Sequence, residues 1–216
     1  MSEQLQIKLT SFQDQFIFNE HRFPAFVGGW ATVKSMSAIF RALLFSQETD
    51  NNLGLICRKE FTDLRDSTIK DFERYTGLKV NEQSKEVKLK NGSIIMFRHA
   101  EELDTLKNIN LGWFWIEQAE ELNTEEQWFY LLGRLRRESK RRSGWITANV
   151  NGHNWIYKHW KDRQHTEDYE LTEATTYDNK HNLPEDFVKS LDSIPEIIKK
   201  RFVLNDWSVA EGLVWP

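Results

Sequence analysis

Short apolar runs recur along this chain, and stretches with a helical composition separate them. The runs with the length of a buried β-strand lie at residues 24–29, 52–57, 112–116, 144–148 and 169–176. The intervening stretches that favour a helix lie at residues 34–45, 63–75 and 123–132. Strands that alternate with helices predict an α/β fold with a mainly parallel sheet flanked by helices.

One further segment has a different pattern. Residues 86–97 (EVKLKNGSIIMF) alternate in character around Asn91 and Gly92, which form the pair preferred in type I′ turns. We therefore expect an antiparallel hairpin added to the parallel sheet.

The segment at residues 26–35 (FVGGWATVKS) has the composition of a phosphate-binding loop between a strand and a helix. It meets the pattern G-x-x-x-x-G-K-[ST] at Gly28, Lys34 and Ser35, whereas Val33 stands where the second glycine belongs. In such a loop, backbone N–H groups surround a phosphate, the lysine reaches the terminal phosphates and the hydroxyl binds Mg²⁺. The predicted nucleotide-binding residues of the loop are Gly28, Gly29, Trp30, Ala31, Thr32, Val33, Lys34 and Ser35. Taken alone, the segment is equally consistent with a plain strand-to-helix turn that carries a solvated lysine.

An acidic segment follows the apolar run at residues 112–116. A carboxylate such as Glu117 at the end of a buried strand is costly unless it binds a metal, a partner or water. In nucleotide hydrolases, this position holds the acid that organises Mg²⁺ and the attacking water. The alternative is a strand end that reaches solvent, with Glu120 and Glu121 on the next helix.

Polar residues also end the next predicted strand, at Thr147 and Asn149. Ligands of open α/β sheets bind at the carboxyl ends of the strands, so these two side chains are candidates to sense a γ-phosphate. A simple strand end and turn explains them equally well.

Residues 134–142 (RLRRESKRR) form a basic cluster, and Trp145, Trp155 and Trp160 follow it. The cluster could hold a DNA backbone or supply a cation to a neighbouring active site, but such charge runs are usually solvated surface. The tryptophans could stack on bases, although in strands and helices they more often belong to the core.

Composition narrows these possibilities. A chain of 216 residues with 39% apolar residues predicts a single domain with a sizeable core. With a net charge of −4, any nucleic-acid binding must be local. Cys57 is the only cysteine, so no internal disulfide forms, and neither a membrane span nor a signal peptide is visible. We therefore expect an intracellular protein.

Together, these segments resemble the ATPase domain of the large terminase subunit, the DNA-packaging motor of tailed phages. Phe12 and Gln13 look like its adenine-contacting glutamine motif, and residues 28–35 look like its GGxxxGKS loop. Residues 115–119 (WIEQA) resemble its acidic W-I-E-E-A strand end. Residues 147–149 (TAN) resemble its coupling segment T-x-N-P, with Val150 in place of the proline.

Other segments match the same family in the same order. Arg58 and Lys59, followed by residues 64–67, resemble its arginine-containing segment, and residues 134–136 resemble its RLR string. Four short segments resemble the end of the family's ATPase domain: residues 176–179, 183–184, 206–207 and 211–214. Each motif is weak alone, but their shared order is specific.

The resemblance implies a P-loop NTPase fold and ATP hydrolysis with Mg²⁺. It assigns Glu117 and Ser35 to the metal, Lys34, Glu117 and Gln118 to catalysis, and Gln13 to adenine. It also implies double-stranded DNA, the small terminase subunit and the portal protein as partners. The protein would work as a ring on the procapsid in the cytoplasm of the infected host, although it could be a monomer in isolation.

We further expect residues 1–216 to be a single ATPase domain without nuclease activity. Residues 180–216 would lead toward the nuclease domain of the family. A cation supplied by a neighbouring subunit is also expected, with Lys107 and Arg98 as candidates. A helicase is disfavoured, because many helicases need a second ATPase-like domain.

Two departures from the family pattern lie in the same predicted site. Val33 replaces a glycine, and a β-branched residue resists positive φ and adds bulk. Gln118 replaces a glutamate that positions or activates water. A glutamine cannot take a proton at neutral pH, although it can orient water, as one does in Ras-like GTPases. We therefore expect ATP binding with slow hydrolysis. The alternative is a degenerate nucleotide-binding scaffold with little or no turnover.

Overall fold

A seven-stranded sheet organises the protein, with strand order β3-β4-β2-β5-β6-β1-β7. The computed structural model describes residues 8–162 and 167–210, so the predicted match at 211–214 lies outside the described residues. The strands are β1 (Phe23–Gly28), β2 (Leu53–Arg58), β3 (Glu86–Lys88), β4 (Ile94–His99), β5 (Trp113–Ile116), β6 (Ser143–Ala148) and β7 (Tyr169–Ala174). Neighbouring strands are parallel, apart from the antiparallel pair β3–β4. The predicted α/β fold with an added hairpin is confirmed.

Helices cover both faces of this sheet. The α-helices are α1 (Ser11–Ile17), α2 (Lys34–Gln47), α3 (Phe61–Asp63), α4 (Lys70–Thr76), α5 (Glu126–Leu132), α6 (Glu185–Ser190) and α7 (Glu196–Phe202). The 3₁₀ segments are Ala100–Thr105, Ala119–Glu121, Thr176–Asn182 and Leu191–Ser193, and the π-helical ones are Leu64–Ile69 and Tyr157–Lys161. Among the described residues, no helix has both the length and the apolar character needed to cross a membrane.

The central strands are continuous apolar runs because both of their faces are buried. Every residue of β1, β5 and β6 is buried. Alternate residues enter the cores on opposite sides of the sheet: Phe114 and Ile116 lie in one core, whereas Trp113 and Trp115 lie in the other. These runs therefore fix the middle of the sheet and leave the strand ends to carry polar groups.

The turn of the predicted hairpin differs from the expected type I′ turn, which needs positive φ at both central residues. Only Gly92 has a positive φ, of 81°, and Leu89 donates its N–H to Ser93 O at 2.8 Å, so that three residues form the loop. Asn91 O accepts the N–H of Asn51 at 3.0 Å. This contact with the neighbouring connection favours the longer loop, which a local sequence pattern does not report.

Mid-strand glycines make room for the aromatic residues of β5. A Cβ atom at Gly54 of β2 would lie 1.9 Å from the Trp113 ring, and one at Gly144 of β6 would lie 2.3 Å from the Phe114 ring. The Trp113 ring also stacks on Trp145, with 5.1 Å between centroids. These glycines are therefore required by packing against large neighbouring side chains.

Replacing Gly54 with alanine tests this packing. We expect Gly54→Ala to lower the free energy of unfolding by about 1–3 kcal/mol, because the added methyl group overpacks a closed core. Urea denaturation measures the change. Gly133→Ala is the matched control, since its Cβ would meet no atom closer than 3.4 Å. Equal stability of the two variants would contradict this account.

Candidate nucleotide-binding site

The carboxyl ends of three neighbouring strands and the N-terminus of α2 meet at one edge of the sheet. Strand β1 ends at Gly28, which is in register with Ala174 of β7, and α2 begins six residues later at Lys34. On the other side of β1, Val27 is in register with Ala148 of β6. Residues 28–35 therefore form the predicted strand–loop–helix connection, which we call the phosphate loop.

The glycine pair of the phosphate loop is required by close packing. A Cβ atom at Gly28 would lie 2.8 Å from Ala174 O, and one at Gly29 would lie 2.7 Å from Thr176 Oγ1. Both distances are shorter than a carbon atom tolerates, so any larger residue would push the loop away from β7 and the segment after it.

Two other loop residues adopt the left-handed conformation. Ala31 has a φ of 57° and Val33 a φ of 60°. This conformation costs a non-glycine residue about 1–2 kcal/mol, so Val33 occupies the backbone geometry that the missing glycine would adopt without strain. Ser37 holds the strained position, because its N–H and its hydroxyl both donate to Val33 O, at 3.1 and 3.0 Å.

Lys34 lies inside the phosphate loop. Its Nζ donates to Gly28 O at 2.8 Å, to Gly29 O at 2.9 Å and to Asn149 Oδ1 at 3.2 Å. Burial lowers the pKa of Lys34 to about 8, while Glu120 and Glu117 act in the opposite direction. Carbonyl groups of the loop therefore surround the Lys34 amine, and Asn149, which follows β6, also accepts a hydrogen bond from it.

Glu117 is buried and accepts hydrogen bonds from two hydroxyl groups. Ser35 Oγ donates to its Oε1 at 2.5 Å, and Thr147 Oγ1 donates to its Oε2. Trp115 Nε1 in turn donates to Thr147 Oγ1 at 2.9 Å, which orients that hydroxyl. Burial raises the pKa of Glu117, and the hydrogen bonds from Ser35 and Thr147 oppose the rise. One carboxylate thus joins α2, β5 and β6.

The donor set around Glu117 fits Mg²⁺. This ion takes oxygen ligands and is usually held by one or two carboxylates together with substrate phosphates and water. Ser35 Oγ and the Glu117 carboxylate are adjacent oxygen donors beside the phosphate loop. Within residues 8–162 and 167–210, no group of three or more histidine, cysteine or acidic residues suits a metal.

The chain reverses direction directly after Glu117. Gln118 has left-handed backbone angles (φ 48°, ψ 53°), and the 3₁₀ turn Ala119–Glu121 follows. In the amide orientation that satisfies both of its polar atoms, Gln118 accepts from Arg58 at 2.6 Å and donates to Glu120 Oε1 at 3.3 Å. The turn brings Glu120 back toward β6, where Asn149 Nδ2 donates to its Oε1 at 2.6 Å.

Glu120 also lies in this cluster, although it is not among the site residues that the sequence predicts. It is only 9% exposed, and burial raises its pKa to about 7. The alternative interpretation of the sequence places it on the next helix, and no local pattern shows that Gln118 adopts a left-handed turn.

The segment after β7 holds the phosphate loop in place. Thr176 Oγ1 donates to Trp30 O at 2.8 Å, and Asn179 Nδ2 donates to Ala31 O at 2.7 Å. The Trp30 ring stacks on Phe202, with 4.9 Å between centroids. The sequence of residues 176–179 resembles the family pattern but does not indicate these contacts.

A cavity of about 370 Å³ opens beside the phosphate loop. Asp71 and Tyr75 of α4 line one side of it, and Asn179 and Asn182 line the other. Its size is within the range of small-molecule sites, and its walls are continuous with loop residues Ala31–Ser35.

Other predicted site residues lie away from this cluster or have structural partners. Gln13 is buried in α1, where its Oε1 accepts the N–H of Thr10 at 2.8 Å, and its contact with adenine stays a prediction. Arg98 pairs with Glu86 at 3.3 Å, whereas Lys107 is exposed.

The basic cluster and the tryptophans after it have separate roles. Trp145, Trp155 and Trp160 are buried in the cores, so the interpretation as core residues is confirmed. Within the cluster, Arg137 donates to Asn51 O, and Arg141 pairs with Glu48 at 2.6 Å. Part of the cluster therefore stabilises the amino-terminal edge of the sheet.

The parallel sheet, the phosphate loop and the buried carboxylate define a P-loop NTPase fold. Phage structures share it. The large terminase of a thermophilic bacteriophage in complex with ATP-gamma-S matches with a TM-score of 0.80 and 12% identity, over 93% of this chain and 53% of that one. The Thermus phage P74-26 large terminase ATPase domain matches with a TM-score of 0.69 and 14% identity, over 93% and 94%. The HK97 bacteriophage large terminase matches with a TM-score of 0.69 and 8% identity, over 93% and 51%.

The TM-scores show a common fold. The chain spans about half the length of the terminase bound to ATP-gamma-S. A search of curated proteins finds no match. The sequence profile of the family described as phage terminase large subunit matches residues 20–203. This chain therefore belongs to the phage terminase large subunit family.

Replacing Val33 with glycine tests whether the left-handed position is strained. We expect Val33→Gly to raise the free energy of unfolding by about 1 kcal/mol, because relief of the left-handed valine exceeds the entropy cost of the glycine. Chemical denaturation of the full chain measures it. Val33→Ala is the comparison, since alanine keeps a Cβ atom, and a glycine variant less stable than the alanine variant would contradict the assignment of strain.

Proposed function

We propose that this chain is an ATP-binding and ATP-hydrolysing motor domain that drives double-stranded DNA into a viral procapsid. The observation that supports the proposal best is the convergence of Lys34, Ser35 and Glu117. Lys34 and Ser35 are distant in sequence from the strand-end residues, yet Lys34 donates to Asn149, and Ser35 and Thr147 both donate to Glu117. Family membership supports the motor role.

ATP would bind with its β- and γ-phosphates in the phosphate loop. The first amides of α2 have no acceptor within the helix and would donate to a bound phosphate, and the helix dipole favours negative charge there. Lys34 would exchange its loop carbonyls for phosphate oxygens, which are stronger charge-assisted acceptors. The ribose and adenine would extend into the cavity bounded by Tyr75 and Asn182.

Mg²⁺ would supply electrostatic stabilisation of the charge that develops on the phosphates. Ser35 and Glu117 would hold it, and Thr147 would orient the Glu117 carboxylate through its hydroxyl. Asn149 would sense the γ-phosphate, because it contacts Lys34 on one side and Glu120 on the other. The matched large terminase in complex with ATP-gamma-S shows that a protein of this fold binds a nucleotide of this kind.

We infer that turnover is slow. Val33 adds strain and bulk where the backbone approaches a phosphate, and Gln118 offers an amide where a carboxylate would accept a proton. The same two residues favour the second candidate function, a nucleotide-binding scaffold without turnover. The two functions agree on ATP binding and differ in whether hydrolysis follows.

The partners that we propose are double-stranded DNA, the small terminase subunit and the portal protein. The chain would act as a ring in the cytoplasm of the infected host, docked on the procapsid. Membership in the terminase large subunit family supports these assignments. A matched structure, described as the Phi-28 gp11 DNA packaging motor, is consistent with them (TM-score 0.51, 14% identity, over 82% of this chain and 65% of that one).

Replacing Lys34 tests the nucleotide site. We expect Lys34→Ala to weaken ATP binding about 10- to 100-fold, because one charge-assisted contact to phosphate is lost, and to abolish hydrolysis. Fluorescent-ATP titration and phosphate release with Mg²⁺ and DNA measure the two effects. Lys88→Ala, an exposed lysine of β3, is the matched control.

The outcomes separate the candidate functions. Unchanged ATP affinity in Lys34→Ala would contradict the proposed site. A wild-type chain that binds ATP but releases no phosphate, with or without DNA, would instead support the scaffold.

A further inference from the structure

Three carboxylates follow β5, and the structure gives each a different environment. Glu117 accepts hydroxyl groups from Ser35 and Thr147. Glu121 pairs with Arg58, at 3.0 and 3.4 Å. Glu120 has no hydrogen-bonded cation among the described residues, although Lys34 interacts with it electrostatically. Of these three carboxylates, Glu120 is therefore the one that neither accepts the hydroxyl groups of Ser35 and Thr147 nor forms an ion pair among the described residues.

The two oxygen atoms of Glu120 differ sharply. Asn149 Nδ2 donates to Oε1 at 2.6 Å. Oε2 is shut off from solvent and makes no hydrogen bond to any residue in the described part of the chain. Leaving a buried polar atom without a partner is destabilising, so a group that donates to this oxygen would be bound favourably.

Asn149 connects Glu120 to the phosphate loop. Its Nδ2 binds Glu120, while its Oδ1 accepts from Lys34 Nζ at 3.2 Å. A single amide therefore separates the unpaired carboxylate from the amine that would contact the γ-phosphate. The carboxylate therefore lies on the phosphate-loop side of the site, one side chain away from Lys34.

Gln118 cannot take the role of proton acceptor, because an amide has no basic site at neutral pH. Its amide group is engaged between Arg58 at 2.6 Å and Glu120 Oε1 at 3.3 Å. Arg58 thus holds the Gln118 side chain, and the Gln118 amide in turn helps to hold the Glu120 carboxylate.

We propose that Glu120 is the catalytic carboxylate of this chain and that Asn149 positions it. This assignment rests on the proposed ATPase function. Oε2 accepts a proton from the attacking water as the water oxygen bonds to the γ-phosphorus. The bond from that phosphorus to the β,γ-bridging oxygen breaks, and its electron pair leaves with ADP. Glu120 then returns the proton to the released phosphate.

The electrostatics of the site agree with this role. Burial raises the pKa of Glu120 to about 7, while Asn149 and Lys34 act against the rise. The other charged groups near this side of the site are Glu117 at the end of β5 and the Arg58–Glu121 pair. A general base works best when its pKa lies near the working pH.

Replacing Glu120 with glutamine removes the basic group and keeps the shape. In single-turnover assays with the full chain, ATP, Mg²⁺ and DNA, we expect Glu120→Gln to lower the hydrolysis rate about 100-fold or more, with ATP affinity unchanged. Glu126→Gln, the same change at an exposed position, should hydrolyse ATP like the wild type. Glu120→Asp should be faster than Glu120→Gln, because it retains a carboxylate.

The pH profile gives an independent readout. We expect the wild-type rate to rise with pH up to about 7 and then to level off, because Glu120 must be ionised. The residual activity of Glu120→Gln should lack this rise. The same rise in both proteins would assign the base to another group and overturn the proposal.

Failure of this assignment can be told apart from failure of the proposed function. A wild-type chain that neither binds nor hydrolyses ATP would contradict the ATPase itself. A wild-type chain that hydrolyses ATP, together with a Glu120→Gln rate within about threefold of it, would overturn the role of Glu120 alone. Loss of ATP binding in Glu120→Gln, or equal rates for the Asp and Gln variants, would overturn it as well.

Discussion

A carboxylate buried at the end of β5 constrains the whole site. An ionised Glu117 without partners would cost several kcal/mol at this depth, and the protein offsets that cost with two hydroxyl groups from different elements. Ser35 can reach Glu117 only if α2 begins where it does, and Thr147 only if β6 lies beside β5. The hydrogen bonds of this one side chain therefore require the strand order in the middle of the sheet and the position of the phosphate loop.

The phosphate loop shows how tertiary contacts compensate for a departure from a local pattern. The glycines at 28 and 29 are needed because β7 and the segment after it approach closely, whereas Val33 occupies a left-handed position that glycine would accept more easily. Ser37 bonds to the Val33 carbonyl, and contacts from Thr176 and Asn179 hold the preceding residues. The loop thus keeps its shape through packing and hydrogen bonds from distant parts of the chain.

Much of this architecture could be predicted from the sequence. Apolar runs located the central strands because burial on both faces requires continuous hydrophobic residues. The start of α2 at Lys34 and the placement of Glu117, Thr147 and Asn149 at strand ends followed from the same patterns. Parallel strands bring such ends to one edge of a sheet, so their clustering was predictable even though the contacts between them were not.

What the sequence could not give depends on contacts between distant residues. The expected type I′ turn was wrong because Asn91 bonds to Asn51, in another connection. Arginine is a residue type typical of a helix surface, yet Arg41 is fully buried and donates to the carbonyls of Phe16, Ile17 and Asn19. The burial of Glu120 could not be predicted for a similar reason, since the left-handed turn at Gln118 that precedes it has no local signature.

A crystal structure of the full chain with a non-hydrolysable ATP analogue and Mg²⁺ tests the central claim most directly. The account predicts that Lys34 Nζ leaves the carbonyls of Gly28 and Gly29 for phosphate oxygens, and that the direct bond between Ser35 and Glu117 opens to admit the metal. A nucleotide bound elsewhere, with the Lys34 and Ser35 contacts unchanged, would contradict it.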